Sequence, residues 1–376
     1  MKKIVYLDHA ATTPVDERVL NKMLPFFSLC YGNPSSMYEI GRNNKRVIEE
    51  ARNKIAREIN AKSKEIYFTS CGTESDNLAI KGVVYANQKN GKHIITSKIE
   101  HPAILNACKS LEKQGYEVTY LNVDNKGFVK LEELENCIRE DTILISIMST
   151  NNEIGTIQFI EQIGKIAKKN NILFHTDGVQ AIGNIKIDVE KLGIDLLSMS
   201  AHKFYGPKGI GALYVRKGIE FERIQDGGHQ EKGKRSGTEN VAGIVGMAEA
   251  LKLANSNLEE NNRKILENRN YFITKLKERI KNIEFNGDQE RRLLGNINVT
   301  FNGKDSIELL LKLDEYNICA SAGSACSTGE SSPSHVLTAI GLPPEKAFST
   351  LRFTLGKENT KDEIDYVINV LEKNLY

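Results

Sequence analysis

Three groups of polar residues that could do chemistry each follow an apolar run typical of a β-strand. After the run Ile66–Ser70, the string Cys71-Gly72-Thr73 leads into a helical pattern. Free backbone N–H groups at a helix start, a threonine hydroxyl and the helix dipole together favour a bound anion such as a phosphate. Taken alone, however, a threonine at this position is more often a simple helix cap.

The other two groups could act on a heterocycle and on an aldehyde. Asp177 directly follows the run 172–176, and Gln180 lies three residues further on. A carboxylate there can point into a cleft, although aspartate is also a frequent turn residue. Lys203, in Ser200-Ala201-His202-Lys203, precedes a Gly/Pro turn. A desolvated lysine can form a Schiff base with an aldehyde, whereas an isolated lysine is usually a solvated surface residue.

Together, the three positions match the needs of pyridoxal phosphate. This cofactor requires a phosphate seat, an acid against its pyridine nitrogen and a lysine for its aldehyde. Thr73, Asp177 and Lys203 supply one of these each. The carboxylate keeps the ring nitrogen protonated, so that the ring can accept the electron pair left when a bond at the substrate's α-carbon breaks.

Predicted strands and predicted helices alternate along the part of the chain that must position these residues. This alternation predicts βαβ units and a largely parallel sheet, with binding residues beyond the carboxyl ends of its strands. The near-continuous apolar run Ile143–Met148 is typical of a sheet covered on both faces. The predicted strands are Glu65–Ser70, His93–Ser97, Glu117–Leu121, Ile143–Ser149, Leu173–Asp177, Leu196–Ser200 and Gly211–Val215.

The pattern changes near residue 250 and predicts a second domain. Leu251–Ile280 is interpreted as a long helical stretch that connects into this domain. Strands are expected near Ile297–Phe301 and Thr350–Thr354, with helices between and after them. We assign residues 15–257 to a large cofactor-binding domain, and residues 1–14 with 258–376 to a small domain.

Composition narrows the function further. The 376 residues carry 51 Lys+Arg and 49 Asp+Glu, a net charge of +2, which argues against a nucleic-acid or membrane surface. The six cysteines include no C-x2-C pair, so no metal site is expected, and reduced thiols predict a cytoplasmic protein. No apolar run reaches the ~18 residues of a membrane span, and the first residues do not resemble a secretory signal.

Short strings of polar and small residues recur in a specific order along nearly the whole chain. They are Tyr6-Leu7-Asp8-His9-Ala10-Ala11-Thr12-Thr13-Pro14, Gly32-Asn33-Pro34-Ser35-Ser36, Thr73-Glu74-Ser75-Asp76-Asn77, Glu100-His101-Pro102-Ala103, Asn151-Asn152-Glu153-Ile154-Gly155-Thr156, His202-Lys203, Arg235-Ser236-Gly237-Thr238-Glu239-Asn240 and Ser321-Ala322-Gly323-Ser324-Ala325-Cys326. Through these strings the chain resembles the cysteine desulfurases of the NifS/IscS type. The resemblance implies an α/β protein of the pyridoxal-phosphate-dependent transferase fold type I, in which a mostly parallel seven-stranded sheet forms the large domain and the smaller domain is α+β.

The resemblance also implies a role for each cofactor-binding residue. Lys203 holds the cofactor, Asp177 pairs with the ring nitrogen, and Gln180 hydrogen-bonds the phenolic oxygen. His101 stacks on the ring and shuttles protons, and Asn152 also contacts the cofactor. The phosphate is bound by Gly72, Thr73, Ser200 and His202. Family homodimers extend a threonine to the phosphate of the partner subunit, and Thr238 matches that threonine.

Substrate binding and sulfur transfer are likewise implied by the resemblance. Arg352 binds the carboxylate of L-cysteine, helped by Asn152 and Asn33. The thiolate of Cys326 takes the sulfur, so that L-alanine leaves and a persulfide remains. The small residues around Cys326 predict a mobile, exposed segment, and Pro333 is expected in the first turn of a helix capped by Ser332.

The identity of the acceptor and the exact reaction are left open by the sequence. A sulfur-acceptor protein such as an iron–sulfur scaffold is expected, whether for nitrogenase, for general cluster assembly or for tRNA thiolation. A selenocysteine lyase, an aminotransferase of the same fold and a non-catalytic sulfur-carrier module are the alternatives. Cys71 is interpreted as a packing variant, although a second thiol near the site is also compatible with its position.

Overall fold

The computed structural model describes residues 4–323 and 332–375. Its strands are β1 (Val5–Tyr6), β2 (Ile66–Thr69), β3 (His93–Ser97), β4 (Glu117–Leu121), β5 (Thr142–Ser146), β6 (Leu173–Asp177), β7 (Leu196–Ser200), β8 (Gly211–Val215), β9 (Ile283–Phe285), β10 (Asn296–Phe301), β11 (Ile318–Cys319) and β12 (Thr350–Thr354). Its helices are α1 (Glu17–Met23), α2 (Pro25–Ser28), α3 (Glu39–Glu58), α4 (Gly72–Ala86), α5 (Pro102–Glu112), α6 (Leu131–Asn136), α7 (Ile160–Lys169), α8 (Val241–Ser256), α9 (Leu258–Arg279), α10 (Ser306–Glu315), α11 (His335–Ala339), α12 (Pro344–Ala347) and α13 (Lys361–Leu375).

A seven-stranded sheet in the order β2-β8-β7-β6-β5-β3-β4 confirms the predicted α/β fold. Only β8 runs against its neighbours in this sheet, and the other strands are parallel to one another. Each of the seven apolar runs predicted as strands contributes one strand. The carboxyl ends of the parallel strands therefore meet at one edge, where a site is expected.

Both faces of this sheet are packed against apolar side chains. Along β5, Leu144 belongs to one hydrophobic cluster and Ile145 to another, and the same alternation recurs at Leu196 and Leu197 on β7. Because successive side chains of a strand point to opposite faces, the two clusters lie on opposite sides of the sheet. The result matches the near-continuous apolar composition of these strands.

A second core surrounds a smaller antiparallel sheet in the order β12-β10-β9. Its cluster combines Val5 and Leu7 with apolar residues from 272 to 375. Strand β1 pairs in parallel with β11, so the residues near the start of the chain pack with its second half. The division into residues 15–257 and the remainder stays a prediction.

One local prediction was wrong and another is refined. The stretch Leu251–Ile280 is helical as predicted, but it is divided, because α8 ends at Ser256 and α9 begins at Leu258. Asn257 lies between them, and its side-chain amide donates to the Leu253 carbonyl (2.8 Å). Such side-chain hydrogen bonds to the backbone compete with the regular hydrogen bonds of a helix. The cap of α11 is Ser334, whose hydroxyl accepts from the Leu337 N–H, and not Ser332.

The helices also bear on the expectation that no segment crosses a membrane. Within residues 4–323 and 332–375, no helix combines the length and the apolar composition that a membrane span requires.

Candidate active site

A cavity of about 200 Å³ opens at the carboxyl edge of the large sheet. It brings together residues at or after the ends of five strands, from Ala10 and Ala11, and from β12. The predicted site residues that line it are Gly72, Thr73, His101, Asn152, Asp177, Gln180, Ser200, His202, Lys203 and Arg352. Cys71 also lines the cavity, so its position is not that of a core residue.

Three predicted site residues are not among those that line the cavity. Asn33 is exposed, and its side-chain oxygen accepts a hydrogen bond from the Ser35 N–H (2.9 Å). Thr238 is exposed as well and lies outside the cavity formed by its own chain. Cys326, with the small-residue segment predicted to be mobile, lies outside the described residues.

The helix start at Gly72 has the features of a phosphate seat. The residue before it, Cys71, makes no side-chain cap, so the first N–H groups of α4 are not capped. A β-carbon on Gly72 would lie 2.8 Å from Cγ2 of Val179, which explains why only glycine allows so close an approach. The acidic Glu74 in this turn is held away by Arg235, with Nε and Oε1 2.7 Å apart.

Lys203 lies on a short 3₁₀ turn, Ala201–Lys203, directly after β7. Its Nζ donates to the carbonyl oxygens of Ala10 (2.5 Å) and Ala11 (2.8 Å). The side chain therefore reaches across the cavity to the segment near the start of the chain. Gly206 allows this turn to close, because a β-carbon there would lie 2.8 Å from Cβ of Ala201.

Asp177 and His101 have opposite pKa shifts with the same physical origin. Burial raises the pKa of Asp177, while His101, the N–H of Val179 and Lys203 act in the opposite direction. Burial lowers the pKa of His101, and Lys203 lowers it further. Nδ1 of His101 accepts from the Ala103 N–H (3.1 Å), so the neutral ring carries its proton on Nε2.

Two further side chains at the cavity are oriented by the segment that contains Ala10 and Thr12. Nε2 of Gln180 donates to the Ala10 carbonyl at 3.0 Å. Nδ1 of His202 is 3.1 Å from Oγ1 of Thr12. Burial, followed by the charge of Lys203, lowers the pKa of His202 to about 4, so its ring is neutral at pH 7.

Arg352 is 1% exposed and reaches the cavity from β12. Its Nη2 donates to Oδ1 of Asp8 (2.7 Å), and its Nη1 donates to the Asn152 carbonyl (3.0 Å). Nε has no hydrogen-bond partner among the described residues. A buried guanidinium with one unpartnered N–H fits a carboxylate ligand.

Below the cavity lies a buried polar cluster that sequence reasoning missed. His175 links Ser146 (2.9 Å from Nδ1) and Ser198 (3.0 Å from Nε2), and burial lowers its pKa to about 3. Oδ1 of Asp76, 3.8 Å from Nε2 of His175, has no hydrogen-bond partner in the described part of the chain. Burial, and then the charge of Asp177, raises the pKa of Asp76 well above its usual range.

The cavity fits pyridoxal phosphate on its own geometry. An uncapped helix start, a buried carboxylate and a lysine amine line the same 200 Å³ space. These are the three groups that the cofactor needs. Residues 4–323 and 332–375 contain no group of three or more His, Cys, Asp or Glu side chains arranged to hold a metal ion.

Comparison with known proteins adds independent findings. Residues 5–367 match the family model "Aminotransferase class-V". A cysteine desulfurase IscS from Methanosarcina thermophila is 54% identical over 369 residues, which cover 98% of this chain and 91% of that protein. The solved structure of a NifS-like protein has a TM-score of 0.94 and 41% identity, with 99% of each chain covered. The structure of SspA in complex with cysteine has a TM-score of 0.84 and 39% identity, and covers 95% of this chain and 100% of that one.

Proposed function

This chain belongs to the class-V aminotransferase family and, within that family, to the cysteine desulfurases, and we propose that it uses pyridoxal phosphate to move sulfur from L-cysteine to its own Cys326. The observation that carries the proposal is the convergence of Lys203, Asp177 and the helix start at Gly72 on one cavity. The related SspA structure contains cysteine, which supports cysteine as the substrate.

Each cavity residue has a defined task in this reaction. Lys203 would hold the aldehyde carbon of the cofactor, Asp177 its ring nitrogen, Gln180 its phenolic oxygen and His101 its ring face. Gly72, Thr73, Ser200 and His202 would hold its phosphate. When bound, the cofactor supplies the electron sink for bonds broken at the substrate's α-carbon.

The substrate is held through its carboxylate. Arg352 offers its Nε–H, and its other two nitrogens are fixed by Asp8 and Asn152. Asn152 also lines the cavity. The role of Asn33 in substrate binding rests on the family resemblance alone, since Asn33 does not line the cavity. The Lys203 amine would accept the α-proton of the substrate, and the Nε2–H of His101 is a second site for proton exchange.

Sulfur transfer is the step that distinguishes this reaction from transamination. The thiolate of Cys326 attacks the sulfur of L-cysteine, so that an S–S bond forms and the C–S bond breaks. The electron pair of the C–S bond goes to the carbon side, which takes up a proton and leaves as L-alanine. The persulfide on Cys326 retains the sulfur. Thiolate formation at Cys326 is therefore a requirement.

A homodimer would complete the phosphate seat with the partner subunit's Thr238. The loop that presents Thr238 is held by a buried ion pair between Arg52 and Glu231 (2.7 Å) and by Arg235 on Glu74. Several large apolar side chains near the start of the chain are exposed and suit an interface. These are Leu24, Phe27, Leu29, Tyr31, Met37 and Tyr38.

The sulfur acceptor that we propose is a scaffold protein for iron–sulfur clusters. The relatives with this architecture that are named IscS support a general role in sulfur supply, and a role specific to nitrogenase is the narrower variant. A cytoplasmic location is proposed from the six cysteines, which show no disulfide-rich pattern.

The test is a turnover experiment with the purified protein. Added L-cysteine is expected to shift the visible absorption band and to yield one L-alanine for each persulfide. Mass spectrometry should find the added sulfur on Cys326. A Cys326→Ser protein is expected to keep the shift and lose the persulfide. Equal alanine production by this variant would favour a lyase that needs no acceptor thiol, formation of the 2-oxo acid of cysteine in place of alanine would favour an aminotransferase, and sulfur found mainly on Cys71 would reassign the acceptor thiol.

A further inference from the structure

Glu153 is a buried acidic residue whose position is fixed by the surrounding backbone. Its N–H donates to Oδ1 of Asn151 (2.9 Å). Its carbonyl accepts from the side-chain amides of Asn296 (3.1 Å) and Asn298 (3.2 Å). The side chain is 1% exposed, and it is not among the residues that line the cavity. Its place in the fold is therefore set independently of any bound molecule.

The carboxylate of Glu153 hydrogen-bonds a residue that follows the segment containing Cys326 and lies near the residue that precedes it. Oε2 accepts a hydrogen bond from Oγ of Ser334 at 2.5 Å. Gly323 lies close enough that a β-carbon placed on it would be 3.3 Å from the same oxygen. Gly323 has a φ of +69°, a conformation that favours glycine. One buried oxygen thus accepts a hydrogen bond from a residue shortly after 324–331 and lies near the last residue before it.

The same flanks also contact residues next to the proposed site. Nε2 of His335 donates to the Glu100 carbonyl (2.9 Å), directly before His101. The N–H of Arg352 donates to the Ser321 carbonyl (2.6 Å). Hydrogen bonds therefore hold the residues on both sides of the segment against the residues proposed to bind cofactor and substrate. Glu153 adds a further hydrogen bond on one of these sides.

We propose that Glu153 is a positioning residue for sulfur transfer, which fixes where the segment bearing Cys326 leaves and rejoins the fold. The proposal rests on the proposed role of Cys326. The rate at which a tethered group meets its target depends on where its tether is attached. Removal of the Glu153 contact releases one attachment point, so that fewer encounters place the thiolate at the substrate sulfur. Cofactor and substrate binding are unaffected, because Glu153 does not line the cavity.

Two single variants test this role in the full-length holoenzyme. Glu153→Ala removes the acceptor, and Ser334→Gly removes the donor while it keeps a residue that is well tolerated at a helix cap. In a single turnover, each is expected to slow persulfide formation on Cys326 by about tenfold, the size expected from one lost hydrogen bond. The visible-band shift caused by L-cysteine should keep its rate. Glu153→Gln retains an acceptor and should restore most of the persulfide rate.

Ser332→Gly is the matched control, because it makes the same change two residues away in an exposed position. It should behave as wild type. A double variant, Glu153→Ala with Ser334→Gly, should be no slower than either single variant, because both remove one contact. Wild-type rates of persulfide formation in both single variants would overturn the proposal, as would equal slowing of the band shift. Absence of sulfur on Cys326 in the wild type would instead contradict the proposed function itself.

Discussion

Oδ1 of Asp8 lies 2.7 Å from Nη2 of Arg352, an ion pair between two residues 344 positions apart in the chain. Asp8 also accepts from Oγ of Ser321 (2.8 Å) through its other oxygen. The pair is nearly inaccessible to solvent on the arginine side, so its loss leaves a buried, uncompensated charge. Asp8 therefore sets the orientation of the guanidinium that is proposed to bind the substrate carboxylate.

Asp8→Asn should raise KM for L-cysteine by about tenfold, with a smaller effect on kcat. The amide keeps one acceptor for Arg352 but removes the charge that holds it. Steady-state kinetics and the concentration dependence of the visible-band shift measure the change. Glu140→Gln alters an exposed carboxylate at the amino end of β5, away from the cavity, and is the control. An unchanged KM in Asp8→Asn would contradict the orienting role.

Glu100→Gln should remove a pH dependence of the free energy of unfolding. Burial raises the pKa of Glu100 to about 8. Below the pKa of an unfolded glutamate both states carry the proton. As the pH rises towards 8 only the unfolded state releases it, so the wild type loses stability in this range. Relative to wild type, the variant should therefore gain up to roughly 4 kcal/mol between pH 4.5 and 8.

Chemical denaturation at pH 5 and at pH 8 measures this effect. The glutamine can accept from the Met148 N–H and preserves the shape of the side chain. Parallel stability curves for the two proteins would show that Glu100 has an ordinary pKa in the folded state.

Asp76→Asn should leave the stability of the folded protein almost unchanged at pH 7. Burial and the charge of Asp177 raise the pKa of Asp76, so the neutral acid is the form that the fold favours. The variant should lose one infrared carbonyl band characteristic of a protonated carboxylic acid, measured as a difference spectrum against wild type. Asp195→Asn is the comparison for a carboxylate that pairs with Arg216. Loss of a carboxylate band in Asp76→Asn would mean that Asp76 is ionised.

Thr238→Ala should weaken cofactor retention by about tenfold without dissociating the proposed dimer. The threonine is exposed in the single chain, and its hydroxyl is proposed to reach the phosphate held by the partner subunit. Gel filtration together with cofactor loss on dilution measures both properties. Thr238→Ser keeps the hydroxyl and should retain the cofactor, whereas equal retention in Thr238→Ala would remove the threonine from the phosphate seat.

The sequence predicted those parts of the site that depend on local pattern. Asp177 and Lys203 were found because they lie at or shortly after the ends of predicted strands, and strand ends of a parallel sheet share one edge. Gly72 and Thr73 were found because a glycine turn precedes a helix there. The seven strands of the large sheet were likewise predicted from a local pattern, namely short apolar runs in the sequence.

Contacts between distant segments could not be predicted in this way. Asp8 was part of a recognised string, yet nothing near it in the chain indicates Arg352 as its partner. Glu153 and Ser334 are 181 residues apart, and His175 gains its environment only when three strands align. The break at Asn257 was missed because both flanking helices have apolar residues at compatible spacing.

The ion pair between Asp8 and Arg352 can form only late in translation, because the two residues are 344 positions apart. A nascent chain that has reached residue 300 already contains Lys203, Asp177 and the helix start at Gly72. In such a chain Asp8 has no Arg352 to pair with, so the residue proposed to bind the substrate carboxylate is missing. The proposed roles therefore imply that a partly made polypeptide takes no sulfur from L-cysteine, because strand β12 is translated well after the residues proposed to hold the cofactor.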